Sequence, residues 1–159
     1  MNTPELRVQQ AITVCMRLTH EVAALQARVL MPGDDQHPPT LVSLEPHGPL
    51  LIERAEGTVE VPHHELPHRS EPNVAMPHTP ELGPYPPFEL GPDGEITGMI
   101  GALDGLAAAL QRMADAIGGG AVLACDLATT DPQRPLGVAA RSGEPVVVLV
   151  DDNAYELPA

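Results

Sequence analysis

Along the first thirty residues, apolar side chains recur in alternating steps of three and four: Val8, Ala11, Cys15, Leu18, Val22, Leu25 and Val29. That spacing places them on one face of an α-helix. Thr3 is a suitable N-cap, Pro4 fits the first helical position, and Glu5 favours the positive helix end. The seam predicts one long helix ending near Met31, where Pro32-Gly33 would stop it. Packing on a sheet is the expected use of its apolar face, since an intermolecular coiled coil usually needs a longer run. A second seam of Ile96, Met99, Leu103, Leu106, Leu110, Met113 and Ile117 predicts another helix, from about residue 95 to 117. Gly118-Gly119-Gly120 closes it, glycine being at ease in the left-handed conformation that ends helices.

Short strand-like runs follow each helix. In the first half these are residues 40–44, 50–54 and 58–61, with a turn at Glu56-Gly57. In the second half they are residues 121–127, 136–140 and 146–150. The run from Val146 to Val150 is apolar at every position. It therefore reads as a central strand, with Val147 and Leu149 covered on one side and Val146, Val148 and Val150 on the other. The expected fold is a single α/β (α+β) domain over residues 1–159. It comprises two helix–strand–strand–strand halves, with the sheet covered by two amphipathic helices. Between the halves, residues 62–94 form a proline- and histidine-rich stretch without usable periodicity, which reads as a long loop.

Residues 1–67 and 95–158 also resemble each other. Glu45-Pro46-His47-Gly48-Pro49-Leu50 is echoed by Asp131-Pro132-Gln133-Arg134-Pro135-Leu136, and Glu65-Leu66-Pro67 by Glu156-Leu157-Pro158. An internal repeat accounts for both echoes, and chance similarity of short segments is the competing account.

Charge narrows the function classes. Twenty-two carboxylates face eight basic residues, all arginine, for a formal net charge of −14. Without lysine, a Walker-type phosphate loop, a lysine Schiff base and a lysine general base all drop out. Scattered arginines and so few aromatics (Tyr85, Phe88, Tyr155) argue against nucleic acid as a partner. The start lacks the regions of a signal peptide, and no apolar run is long enough for a bilayer, so a cytoplasmic protein without membrane contact is expected. Cys15 and Cys125 sit in apolar segments and read as buried thiols rather than a disulfide framework or a nucleophile.

One segment carries a catalytic signature. His64-Glu65-Leu66-Pro67-His68 fits H-E-x-x-H, which in zinc proteases places two histidines on one helix face and a glutamate against the metal-bound water. Pro67 and the flanking Pro62 and Pro72 oppose a helix there, and the neighbourhood is rich in histidine. No third ligand stands out, with His78 and Glu71 the conceivable ones. The preferred reading has no catalytic residue, cofactor or metal, with His64, Glu65, His68 and His78 kept as candidates for a zinc-dependent hydrolase. Serines are not in nucleophile elbows, and Asp34-Asp35 and Asp151-Asp152-Asn153 look like turns. Gly98, Gly101, Gly105, Ala108 and Ala109 leave the second helix with small side chains where another backbone could approach. They are the candidate interface of a homodimer.

The stretch from Leu103-Asp104-Gly105-Leu106-Ala107-Ala108-Ala109-Leu110 through Gly118-Gly119-Gly120 to Val146–Val150 resembles the roadblock family. The resemblance covers roughly residues 95–152. It implies a small α/β protein with helix, strands, helix and strands in order, acting as a homodimeric, non-enzymatic scaffold or regulator of a small Ras-like GTPase or a larger complex. The longer first helix, the strand at 58–61 and the proline-rich insertion depart from that pattern. A small acidic secretion-chaperone-like binding module is the alternative among binding proteins.

Overall fold

The computed structural model describes residues 4–33, 35–36, 38–66, 87–92, 100–131, 133–134, 136–151 and 153–157. Helix α1 (Pro4–His20) leads into strands β1 (Gln26–Met31), β2 (Thr40–Leu44), β3 (Leu50–Arg54) and β4 (Gly57–Val61). A 3-10 turn (His63–Glu65) follows. Helix α2 (Ile100–Ile117) then leads into β5 (Val122–Leu127), β6 (Leu136–Arg141), β7 (Val147–Val150) and β8 (Asn153–Glu156). The strands form one antiparallel sheet in the order β4-β3-β2-β1-β5-β6-β7-β8. Each half is thus a helix and a four-stranded meander, one strand more per half than the sequence pattern suggested. The halves join where β1 pairs with β5.

The strand missed in the first half is β1, which the heptad seam had assigned to the first helix. That helix ends at His20, not near Met31. Ala23 adopts φ 60°, and the Ala24 N–H reaches back to the Leu18 carbonyl at 3.0 Å. No glycine or proline marks the stop. Val29 fits both readings, because it is four residues from Leu25 and also two from Ala27 and Met31. In the structure Ala27, Val29 and Met31 are buried together, whereas Leu25 is 54 % exposed. The period is two and the segment is a strand.

Register shows how closely the halves correspond. Adding 96 to both residues of the pair Ala27–Leu44 gives Leu123–Ala140, which is also a cross-strand pair. The same shift turns Val42–Ile52 into Val138–Val148, and Ile52–Val59 into Val148–Tyr155. The echoes noted in the sequence do not follow this shift. Leu50 opens β3 while Leu136 opens β6. That first echo is displaced by one strand from the structural correspondence, whereas Glu65-Leu66 follows β4 and Glu156-Leu157 closes β8, two strands that do correspond.

Both helices lie on one face of the sheet: α1 packs on β1 and β2, α2 on β5 and β6, and the helices touch each other. Their apolar sides meet the inward row of each strand, including Val29, Val42, Leu44, Leu123, Cys125, Leu136, Val138 and Val148, in one continuous core. Phe88 joins this core. Its backbone bonds to Ala128 and Thr130, so the end of the proline-rich stretch is pinned beside β5 and β6. Arg134 reinforces the anchor. It donates to the Gly91 carbonyl at 2.7 Å and pairs with Asp151 at 3.0 Å.

The expectation for residues 146–150 needs correction. Strand β7 is next to the edge strand β8, not central, and among the described residues both helices lie on one face of the sheet. Val146, Val148 and Val150 are buried, but Val147 is half-buried and Leu149 is 44 % exposed. An all-apolar run indicates a buried strand only where both sheet faces are covered, and here the helices take one face.

Candidate interaction surface

Because side chains alternate along a strand, the face opposite the helices is fixed by the same register that builds the core. Leu30 on β1 has Leu41 of β2 on one side and Val122 of β5 on the other. Ala124 on β5 faces Ala139 on β6, which faces Val147 on β7; Gly137 faces Leu149. Leu51 on β3 extends the row on the other side, next to Ser43. The result is an apolar band across the sheet from Leu51 to Leu149. Leu30 is 42 % exposed, and Leu41, Leu51, Val122, Ala124, Ala139 and Val147 are half-buried. Among the described residues, no helix packs on this face.

Polar groups on the same face lie both within and around the band, with Ser43 and Arg28 directly between Leu51 and Ala124. Arg28 sits near its middle, bonded to Gln26 at 2.8 Å and paired with Asp126 at 3.1 Å. Arg141, opposite Val122, lies near Glu144 at 3.8 Å. Toward the two sheet edges stand the exposed carboxylates of Glu53 on β3, Glu60 on β4 and Glu156 on β8. An open apolar sheet face of this kind is uncommon on a protein that meets only water.

The sequence-derived candidates fall elsewhere. His64 and Glu65 are exposed in the 3-10 turn after β4; a turn of three residues does not set two histidines one above the other as an α-helix would. His68, Glu71 and His78 lie outside the described residues, as does Gly98. Among the described residues, no three His, Cys, Asp or Glu side chains are grouped to hold a metal ion. On α2, Gly101 lies in the first turn, Gly105 is half-buried and Ala108 is exposed. Ala109 is fully buried, so it packs within the chain.

Cys15 and Cys125 are buried free thiols. Burial pushes the Cys15 thiol far above the ordinary range, and its Sγ lies 3.7 Å from the Val42 carbonyl. Burial also pushes Cys125 up to about 12, helped by neighbouring Asp126 and opposed by Arg28. Thiols held protonated in this way are poor nucleophiles. Ser43 is buried on β2, and Ser142 donates to the Asp115 carboxylate at 2.7 Å.

The open face was not singled out from the sequence. Its signal was present in the alternate positions of the strands, where Leu30, Leu41, Leu51, Val122 and Leu149 stand where solvent-facing polar residues would be expected. No described helix is long and apolar enough to cross a membrane. Compared with protein-family models, curated proteins and solved structures, the chain matches none.

Proposed function

We propose that this chain works by binding other proteins rather than by catalysis, with the open face of its sheet as the main contact. The observation that carries the reading is the band from Leu51 to Leu149, left uncovered by the helices that take the opposite face. Covering such surface is worth roughly 25 cal/mol per Å² before the costs of association. The buried free cysteines suit a reducing cytoplasm, the location proposed with it.

The more specific version is the role implied by the roadblock resemblance, a scaffold or regulator of a small Ras-like GTPase; the order helix, strands, helix, strands supports it. The test is capture of partners from the native host by wild type and by a Leu30→Glu/Leu149→Glu variant. Partners that depend on the two leucines support the reading, and an unchanged set refutes the use of this face.

Self-association through α2 belongs to the same proposal in a narrower form. Ala108 and Gly105 are the described small residues still reachable on that helix. Sedimentation equilibrium should give twice the chain mass, reduced to one chain by Ala108→Arg. A wild-type mass near 16.8 kDa would remove the homodimer.

A further inference from the structure

The open face does more than expose apolar side chains: its charge selects among occupants. Arg28 is matched by Asp126, and Arg141 lies near Glu144, so the cations of the face have carboxylates beside them. Glu53 and Glu60 at one sheet edge and Glu156 at the other are exposed. The apolar band is therefore bordered by negative charge on both sides, on a chain whose formal net charge is −14. A second copy laid face to face with its strands aligned, in either direction, would bring an acidic edge against an acidic edge, at a cost in repulsion.

Resting on the reading of this face as a protein-binding surface, we propose that its occupant is a cationic amphipathic segment of a partner protein. The apolar side of that segment covers Leu30, Val122 and Leu149, and its Lys or Arg side chains reach Glu53, Glu60 and Glu156. The dimensions suit it. From β3 to β7 there are five strand spacings of about 4.8 Å, roughly 24 Å in all. A helix of about 18 residues is about 27 Å long. Amphipathic helices commonly bind by laying their apolar side in such surfaces.

The probe is a fluorescent peptide of about 18 residues with leucines on one helical face and lysines on the other, titrated with the full chain at physiological ionic strength. It should bind saturably, one peptide per chain. The Leu30→Glu/Leu149→Glu variant, checked for folding by circular dichroism, should bind about tenfold more weakly or worse. This variant separates the mechanisms, because it adds negative charge and would strengthen diffuse attraction to an acidic protein. Leu30→Ser/Leu149→Ser repeats the test without a charge change. Glu53→Gln/Glu60→Gln/Glu156→Gln should weaken binding and flatten its salt dependence.

Absence of binding, undiminished binding to both leucine variants, or equal binding of a leucine–glutamate peptide would overturn the proposal. A wild-type dimer split by Leu30→Glu would overturn it too, in favour of a second copy. If the peptide fails while captured host partners still depend on Leu30 and Leu149, protein binding by this face stands and the cationic occupant falls.

Discussion

Cys15 on α1 and Cys125 on β5 are buried in one core, and the pH dependence of stability should carry their imprint. Their ordinary value is near 9, and burial raises both in the folded state. Below that value both are protonated, folded or unfolded, and contribute no pH dependence. Above it the unfolded chain loses protons that the folded chain retains, so stability falls as pH rises. By pH 10 the loss should be about 1.4 kcal/mol for each cysteine, continuing until the folded thiols themselves ionise. Urea unfolding at pH 8 and pH 10 checks this, with Cys15→Ala/Cys125→Ala as reference. An equal fall in that variant would assign the slope to other groups. Arg134 offers a second test at this scale. Arg134→Ala removes the ion pair to Asp151 and the bond to the Gly91 carbonyl, both partly solvated. A loss of about 1–2 kcal/mol is expected, with faster amide exchange at Phe88. Unchanged exchange there would show that the Phe88 ring and its backbone bonds hold the segment without Arg134.

At the scale of elements, β7 shows how one strand divides its residues between core and surface. Val148 faces α2's side of the sheet between Val138 and Tyr155, while Leu149 faces the open side between Gly137 and Ala154. Val148→Asp puts an unpaired carboxylate in the core and should cost about 4 kcal/mol or more, leaving little folded protein. Leu149→Glu, one residue later, should change stability by less than about 1 kcal/mol. Thermal melts of the two variants compare the faces directly, and equal losses would show that the open face is covered in the folded chain. Helix α2 divides in the same way. Ala109→Arg should destabilise the fold strongly, whereas Ala108→Arg should leave helicity near wild type.

For the whole molecule, the controlling contact is the antiparallel pairing of β1 with β5, which occupy corresponding places in the two halves. Arg28 lies directly opposite Ala124, its own counterpart under the shift of 96. The chain is therefore built as a dimer of halves would be, with an approximate twofold axis passing between these two residues. A fragment of residues 87–159 would leave β5 as an open edge, with Leu123 and Cys125 stripped of their partners Val29 and Ala27 on β1. It should pair with itself through β5 or aggregate, since an unprotected edge is a template for strand addition. A monomeric fragment that melts cooperatively, as judged by sedimentation and calorimetry, would show that the halves are independent.

Sequence alone determined the α/β class, the second helix and most of the strands, because periodicity near 3.6 and near 2 follows directly from which residues must be covered. It also determined that Cys15 and Cys125 lie in the core, from the apolar segments around them. It did not decide where α1 ends. Val22, Leu25 and Val29 continue a helical seam, and only the demand for a strand between β2 and β5 converts the segment into β1. It did not decide which strands are central either. Val146 to Val150 is as apolar as a doubly covered strand, but strand order places it beside an edge and the helices cover one face alone. The candidate surface was legible only position by position, as apolar residues where polar ones are expected, and its assembly into one band was not. Leu51, Leu41, Leu30, Val122 and Leu149 come from five strands, and no spacing along the chain relates them. Register and the one-sided placement of both helices bring them together and leave them open.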